Sequence, residues 1–186
     1  MKQPIDLTAN ALVGVTRDSL VSLCTSLLRE IGPDAATHLQ NAGYSGGGAL
    51  YEAFTRWLVA RGDGTPDALA ADRFAARATA FFRDLGWGSL ELGTVADAVA
   101  TVDSPDWAEA DPASGLEYPG CYVTTGMFAD FFGRLAGEEM AVMEVECRSM
   151  GAERCRFLVG SAEVLQQVYD AMAEGQAYYA AVEGVT

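Results

Sequence analysis

The sequence predicts an α+β fold: a small twisted antiparallel sheet of about four strands, packed with helices. Two observations predict it. The first 85 or so residues carry apolar side chains at helical spacing. Beyond them, short strand-like runs come in two pairs, one on either side of an amphipathic segment. The order is three helices, two strands, one helix, two strands and one helix.

The elements follow in turn. Leu20, Val21, Leu23, Cys24, Leu27, Leu28 and Ile31 recur on a helical face, with Thr16 and Asp18 suited to its start. Pro33-Asp34 opens a second helix, because proline is preset for the first helical position. Its apolar side runs Leu39, Gly43, Gly46, Leu50, Phe54 and Trp57. Thr65-Pro66-Asp67 reads as a third start, and Phe74, Ala78, Phe81, Phe82 and Leu85 follow before Gly86 ends it. Residues 89–92 and 96–102 read as strands, and 103–119, acidic with two prolines inside, as a loop. In 121–135, Val123, Met127, Phe131 and Leu135 recur every four residues as one helix face. Residues 141–149 and 154–159 are strand-like around a turn at Gly151, and a last helix spans 162–181. No linker divides the chain, so residues 1–186 read as one domain.

Composition excludes several function classes. Acids outnumber bases 26 to 12 in 186 residues, for a net charge of −14. Nucleic acids and anionic membranes require clustered Lys and Arg, so neither is an expected partner. No run approaches the roughly 18 apolar residues that a membrane span requires. The start, Met1-Lys2-Gln3-Pro4-Ile5-Asp6, lacks a signal-peptide core, which predicts the cytoplasm and reduced thiols. The single histidine, His38, rules out a His-rich metal site and disfavours a nucleophile–histidine arrangement, so no enzyme is expected. Gly43-Tyr44-Ser45-Gly46-Gly47-Gly48 suggests a nucleotide loop, but no strand precedes it and no phosphate-loop lysine follows. Small residues that let a helix approach its neighbour explain it better.

The chemistry lies in three cysteines. Cys147 and Cys155 flank the Gly151 turn, and pairing Ser149 with Glu153 sets them opposite each other. Facing residues on a two-stranded ribbon have Cβ atoms roughly 4.5–5.5 Å apart, which one thiophilic ion can span. Cys121 opens the preceding helix and offers a third sulfur. Thiolates without a redox partner point to zinc, which takes four ligands. Strand alternation puts Glu144 and Glu146 on the face opposite Cys147, with Glu146 facing Arg156; only a bulge would bring Glu144 round. Three buried thiols, or a Cys147–Cys155 disulfide, remain alternatives on these grounds. Cys24 reads as a core thiol.

At these residues the chain resembles the 4-vinyl reductase domain family. The match is a Cys before a helix (Cys121), Glu-x-x-Cys (Glu144 to Cys147), Met150-Gly151 and Cys155-Arg156-Phe157. Weaker matches are Ala42-Gly43-Tyr44, Gly86-Trp87-Gly88 and Asp103-Ser104-Pro105, so the resemblance spans about 15–160. It implies a fold like subunits of the TRAPP vesicle-tethering complex, often dimeric. It further implies zinc held by Cys121, Glu144, Cys147 and Cys155 beside an enclosed apolar pocket. The expected function is a zinc-containing protein that senses or carries a small hydrophobic or aromatic molecule, as a homodimer. Two other uses of the family are an accessory or enzyme of vinyl tetrapyrrole reduction and a structural dimerisation module. The phenol sensors read a hydroxyl with a His and a Trp ahead of the first zinc cysteine; this chain has no His between His38 and Cys121, so phenol sensing is not expected. Expected pocket residues are Tyr122, Met127, Phe128, Trp107, Phe82 and Trp87.

The acidity is uneven. Residues 94–186 hold 16 of the acids and 4 of the bases, and three of those bases, Arg148, Arg154 and Arg156, flank the hairpin cysteines. They are placed either to offset anionic ligands or to form a solvated strand face.

Overall fold

A computed structural model describes residues 5–185. The first four residues used in the leader reading, Met1 to Pro4, lie outside them. The elements are α1 (Arg17–Ile31), α2 (Asp34–Val59), α3 (Ala71–Asp84), β1 (Glu91–Ala96), β2 (Val99–Ser104), α4 (Tyr122–Ala136), β3 (Ala141–Glu146), β4 (Cys155–Gly160), α5 (Ala162–Ala173) and α6 (Tyr178–Glu183). The strands form one antiparallel sheet in the order β1-β2-β4-β3. The α+β class and the four-strand sheet agree with the sequence.

Local chemistry accounts for the helix boundaries. Thr16 caps α1 by accepting the Ser19 N–H, and Ser161 caps α5 by accepting that of Val164. α3 begins later than the Thr65-Pro66 signal predicts. Pro66–Ala68 makes a single 3₁₀ turn, then Leu69 and Ala70 are extended before the helix starts at Ala71. The last helix is two. Gly175, at φ +96°, ends the first after Ala173 and turns α6 back on the sheet. A glycine just past a helix is a stop signal, because it takes the left-handed conformation without a Cβ clash. β3 ends at Glu146, and residues Arg148–Met150 form a 3₁₀ turn in place of further strand.

Helices cover both faces of the sheet. On one face, Val102, Phe157 and Val159 pack with the aromatic side chains of α2, α3 and α4. On the other, Val99 and Leu158 pack with Leu165, Val168, Ala181 and Val182 of α5 and α6. α2 and α4 meet backbone to backbone. A Cβ on Gly43 would lie 1.9 Å from the Val123 carbonyl oxygen, and one on Gly126 would lie 1.9 Å from that of Gln40. Gly47 makes the same approach at Asp130. The glycine cluster therefore brings helices together, as its sequence suggests, with one shift: Gly47 faces α4, whereas Gly46 is exposed.

Candidate metal centre

The β3–β4 register determines which carboxylate meets the cysteines. Glu144 pairs with Phe157 and Glu146 with Arg156, so Val145 is an extra residue in β3. Phe157 belongs to the core on the α4 side of the sheet. The bulge therefore sends Glu144 to that side and leaves Glu146 with Arg156 on the other. Without it, both would share one face. Cys147 follows in extended conformation, φ −136° and ψ 132°, and turns back to the Glu144 side. Cys155 opens β4, and Cys121 is the residue before α4.

These four residues converge. Each can place a ligand atom within 4.8 Å of the other three, and all four are buried. The Cys121 sulfur lies 3.9 Å from those of Cys147 and Cys155. A disulfide requires about 2.05 Å, and all four cysteines of the chain are free thiols. The Glu144 Oε2 accepts the Cys121 backbone N–H at 2.8 Å. Its Oε1 is buried with no hydrogen-bond partner. A buried oxygen in that state is costly unless something else engages it.

The electrostatics are those of one shared negative charge. Hydrogen bonds from the Cys121 and Cys155 thiols hold Cys147 far below the ordinary thiol range. Donating to Cys147 raises the Cys121 thiol, with burial adding to it. Cys155 is lowered by its contact with Cys121, but donation to Cys147 and burial outweigh this and leave it raised. Burial, then the neighbouring Cys147, pushes the Glu144 carboxyl up to about 9. Three sulfurs and a carboxylate oxygen with a spare lone pair are a donor set suited to a metal ion.

A second buried carboxylate, which the sequence reading does not single out, steadies α4. Glu109, in the loop after β2, accepts the backbone N–H groups of Val123 and Thr124, both at 2.8 Å, and the Thr124 hydroxyl at 2.5 Å. These are donors that the first turn of a helix leaves unpaired. Trp107 Nε1 donates to Thr124 Oγ1 at 2.6 Å and extends the network. Burial raises Glu109 to about 7 against the pull of those donors. Spacing gives no sign of this role, since the contact joins a loop to a helix turn 14 or more residues on.

The arginines near the hairpin do not face the sulfurs. Arg156 grips Asp103 of β2 at 2.8 and 2.6 Å, and Arg154 grips Glu146 at 2.9 and 3.2 Å. Tyr178 of α6 donates to Glu146 and accepts from Arg156. This network lies on the other face of the sheet, so these cations balance Asp103 and Glu146. Arg148 borders a surface groove beside α1.

The expected pocket residues separate. Phe82, Trp107 and Phe128 are fully buried and stack edge to face or tilted on one another. Their own rings fill the space between α3, α4 and the sheet. Tyr122 is half-buried at the start of α4. Met127 and Trp87 instead border a cavity of about 460 Å³ beneath the segment that precedes α1.

Comparison with known proteins gives this arrangement its context. Over 90% of this chain and 83% of the other, the fold is similar to the phenol-responsive sensory domain of the transcription activator PoxR, solved with phenol (TM-score 0.61, 17% identity). It is also similar to trafficking protein particle complex subunit 3 from Naegleria fowleri, solved covalently bound to palmitic acid (TM-score 0.55, 15% identity, 77% and 93% covered). A vinyl-4-reductase family protein from Methanocaldococcus jannaschii aligns over 45% of this chain and 55% of its own (TM-score 0.40, 20% identity). At these identities the likeness is one of fold. No curated protein sequence matches the chain. Residues 106–161, which hold all four members of the buried cluster, match the model of the 4-vinyl reductase domain, and the chain resembles that family where its cysteine motif lies.

Proposed function

We propose that the chain is a zinc-containing module that binds a small hydrophobic or aromatic molecule and acts as a sensor or carrier. The observation that carries the metal half is the unpartnered, buried Glu144 Oε1 among three free cysteine sulfurs. Zinc suits that donor set, because thiolates with one carboxylate and no redox partner favour it over harder or redox-active ions. Four protein ligands make a closed site, so zinc would supply a structural crosslink. It would pin the start of α4 to the β3–β4 hairpin. Binding of a ligand, not catalysis, is the activity this reading assigns.

Similarity of fold to a sensory domain, and the match to the 4-vinyl reductase domain, support the ligand half. The apolar side chains of Leu23 and Ile31, exposed on α1, support a homodimer. Among the described residues no helix is long and apolar enough to cross a membrane, and four free thiols suit a reducing compartment such as the cytoplasm.

Two measurements test the reading. Metal analysis after purification without added metal should give about one equivalent of zinc per chain, and less than about a tenth would count against it. Native mass spectrometry should show a small apolar adduct, retained or loaded; repeated failure with both rings and chains would remove the binding claim.

A further inference from the structure

The residues expected around a pocket are mostly packed solid, and the apolar space lies elsewhere. A cavity of about 460 Å³ is bounded below by α2 and α4 and beside by Trp87. Its roof is the segment between residues 7 and 16, which has turns but no helix or strand. That roof is held at both ends. Asn10 Oδ1 accepts from Arg56 of α2 at 2.8 Å, and Arg17 donates to the Gly86 carbonyl at 2.8 Å. The volume is within the range of small-molecule sites, roughly 300–1,000 Å³.

The lining specifies the chemistry. Leu12, Leu20, Leu50, Trp87, Val123 and Met127 supply apolar surface. Val13 and Val15 at the rim are 88% and 67% exposed, so apolar surface also surrounds the opening. The polar side chains there are already engaged. Thr16 Oγ1 caps α1, Ser45 Oγ donates to the Asn41 carbonyl at 2.8 Å, and Arg17 donates to the carbonyls of Gly86 and Asp106. None of these groups is left unpaired to select a charged head.

We propose that this cavity, and not the aromatic core beside the cysteine cluster, is the ligand site, and that it takes an uncharged apolar molecule. The proposal rests on the apolar-binding half of the reading above and is independent of zinc. It also assigns Gly46 a role. Gly43 and Gly47 turn to α4, whereas Gly46 borders the cavity, and a Cβ there would meet nothing within 4 Å. The missing side chain keeps the space open.

The test uses the full chain and two fluorescent probes with the same ring system: neutral N-phenyl-1-naphthylamine and its anionic analogue 1-anilinonaphthalene-8-sulfonate. The wild type should bind the neutral probe saturably, one per chain, and more tightly than the sulfonate. Gly46→Phe should weaken the neutral probe by about tenfold or more by occupying the cavity. Its melting temperature should not fall, since a mid-helix glycine is replaced where there is room. Ala49→Phe, on the same helix face, is an independent second block. Undiminished binding in both folded variants would overturn the cavity assignment yet leave small-molecule binding standing. Preference for the sulfonate would overturn the ligand class. Binding of neither probe by the wild type would overturn the proposal and the apolar-binding reading together, with the zinc measurement unaffected. Probe binding that disappears as protein concentration rises would mean that a second copy occupies the site, and would also overturn the proposal.

Discussion

The backbone N–H of Cys121 donates to the Glu144 carboxylate at 2.8 Å, across 23 residues of sequence. One oxygen of that carboxylate thus fixes the entry to α4, and the other is left facing the sulfurs without a partner. The bulge at Val145 makes this possible, and four buried ligand atoms meet as a result.

Glu144→Gln tests the division of labour. The amide oxygen can still accept the Cys121 N–H, but a neutral amide is a poor zinc ligand. Metal affinity, by competition with a chromophoric chelator, should fall by at least about 10- to 100-fold. The metal-free protein should melt close to the wild type, because burial already favours the uncharged carboxyl there. An unchanged affinity would exclude Glu144 from the ligand set.

Two glycines of neighbouring helices should respond in opposite directions to alanine. Gly126→Ala drives a Cβ to 1.9 Å from the Gln40 carbonyl oxygen, and backbone cannot yield as a side-chain tip does. We expect a loss of about 2 kcal/mol or more in urea unfolding. Gly46→Ala meets nothing and removes a mid-helix glycine, so it should gain about 0.5–1 kcal/mol. Equal effects at both sites would contradict the close α2–α4 approach.

Glu109 predicts a pH dependence separate from the metal. Burial raises its folded-state pKa from 4.5 to about 7, so the protonated form favours the fold. That contribution is complete below about 4.5 and is lost as pH rises through 7, a change of roughly 3 kcal/mol. In metal-free protein, the wild type should therefore lose stability relative to Glu109→Gln between about pH 4.5 and about pH 7.5. Parallel curves for the two proteins would contradict it.

Tyr178 connects α6 to the far face of the metal-site hairpin through Glu146 and Arg156. Tyr178→Phe deletes both hydrogen bonds and should weaken α6 docking by about 1–2 kcal/mol. Hydrogen exchange should show faster amides in residues 178–183, with the α2–α4 core unchanged. Unaltered protection in α6 would show that apolar packing alone holds it.

What depends on local chemistry is legible in the sequence. Thr16, Pro33 and the glycine after Leu85 mark helix ends that the structure keeps. The spacing of Cys121, Cys147 and Cys155 is enough to bring three sulfurs together. Glu144 is different. Period-two alternation points it away, and only the family resemblance names it, because a bulge is a property of strand pairing and leaves no mark in one strand. Glu109 escapes sequence reasoning for a related reason, since a loop carboxylate capping a later helix is a purely tertiary contact. The aromatic residues Phe82, Trp107 and Phe128 show the limit of composition. Apolar rings line a cavity or fill it depending on how closely their helices approach, and here they fill it.

X-ray absorption at the zinc edge on protein purified without added metal tests the central claim most directly. The account predicts a four-coordinate shell of about three sulfurs near 2.3 Å and one oxygen near 2.0–2.2 Å. Absence of zinc, or a shell built mainly from oxygen and nitrogen, would contradict it.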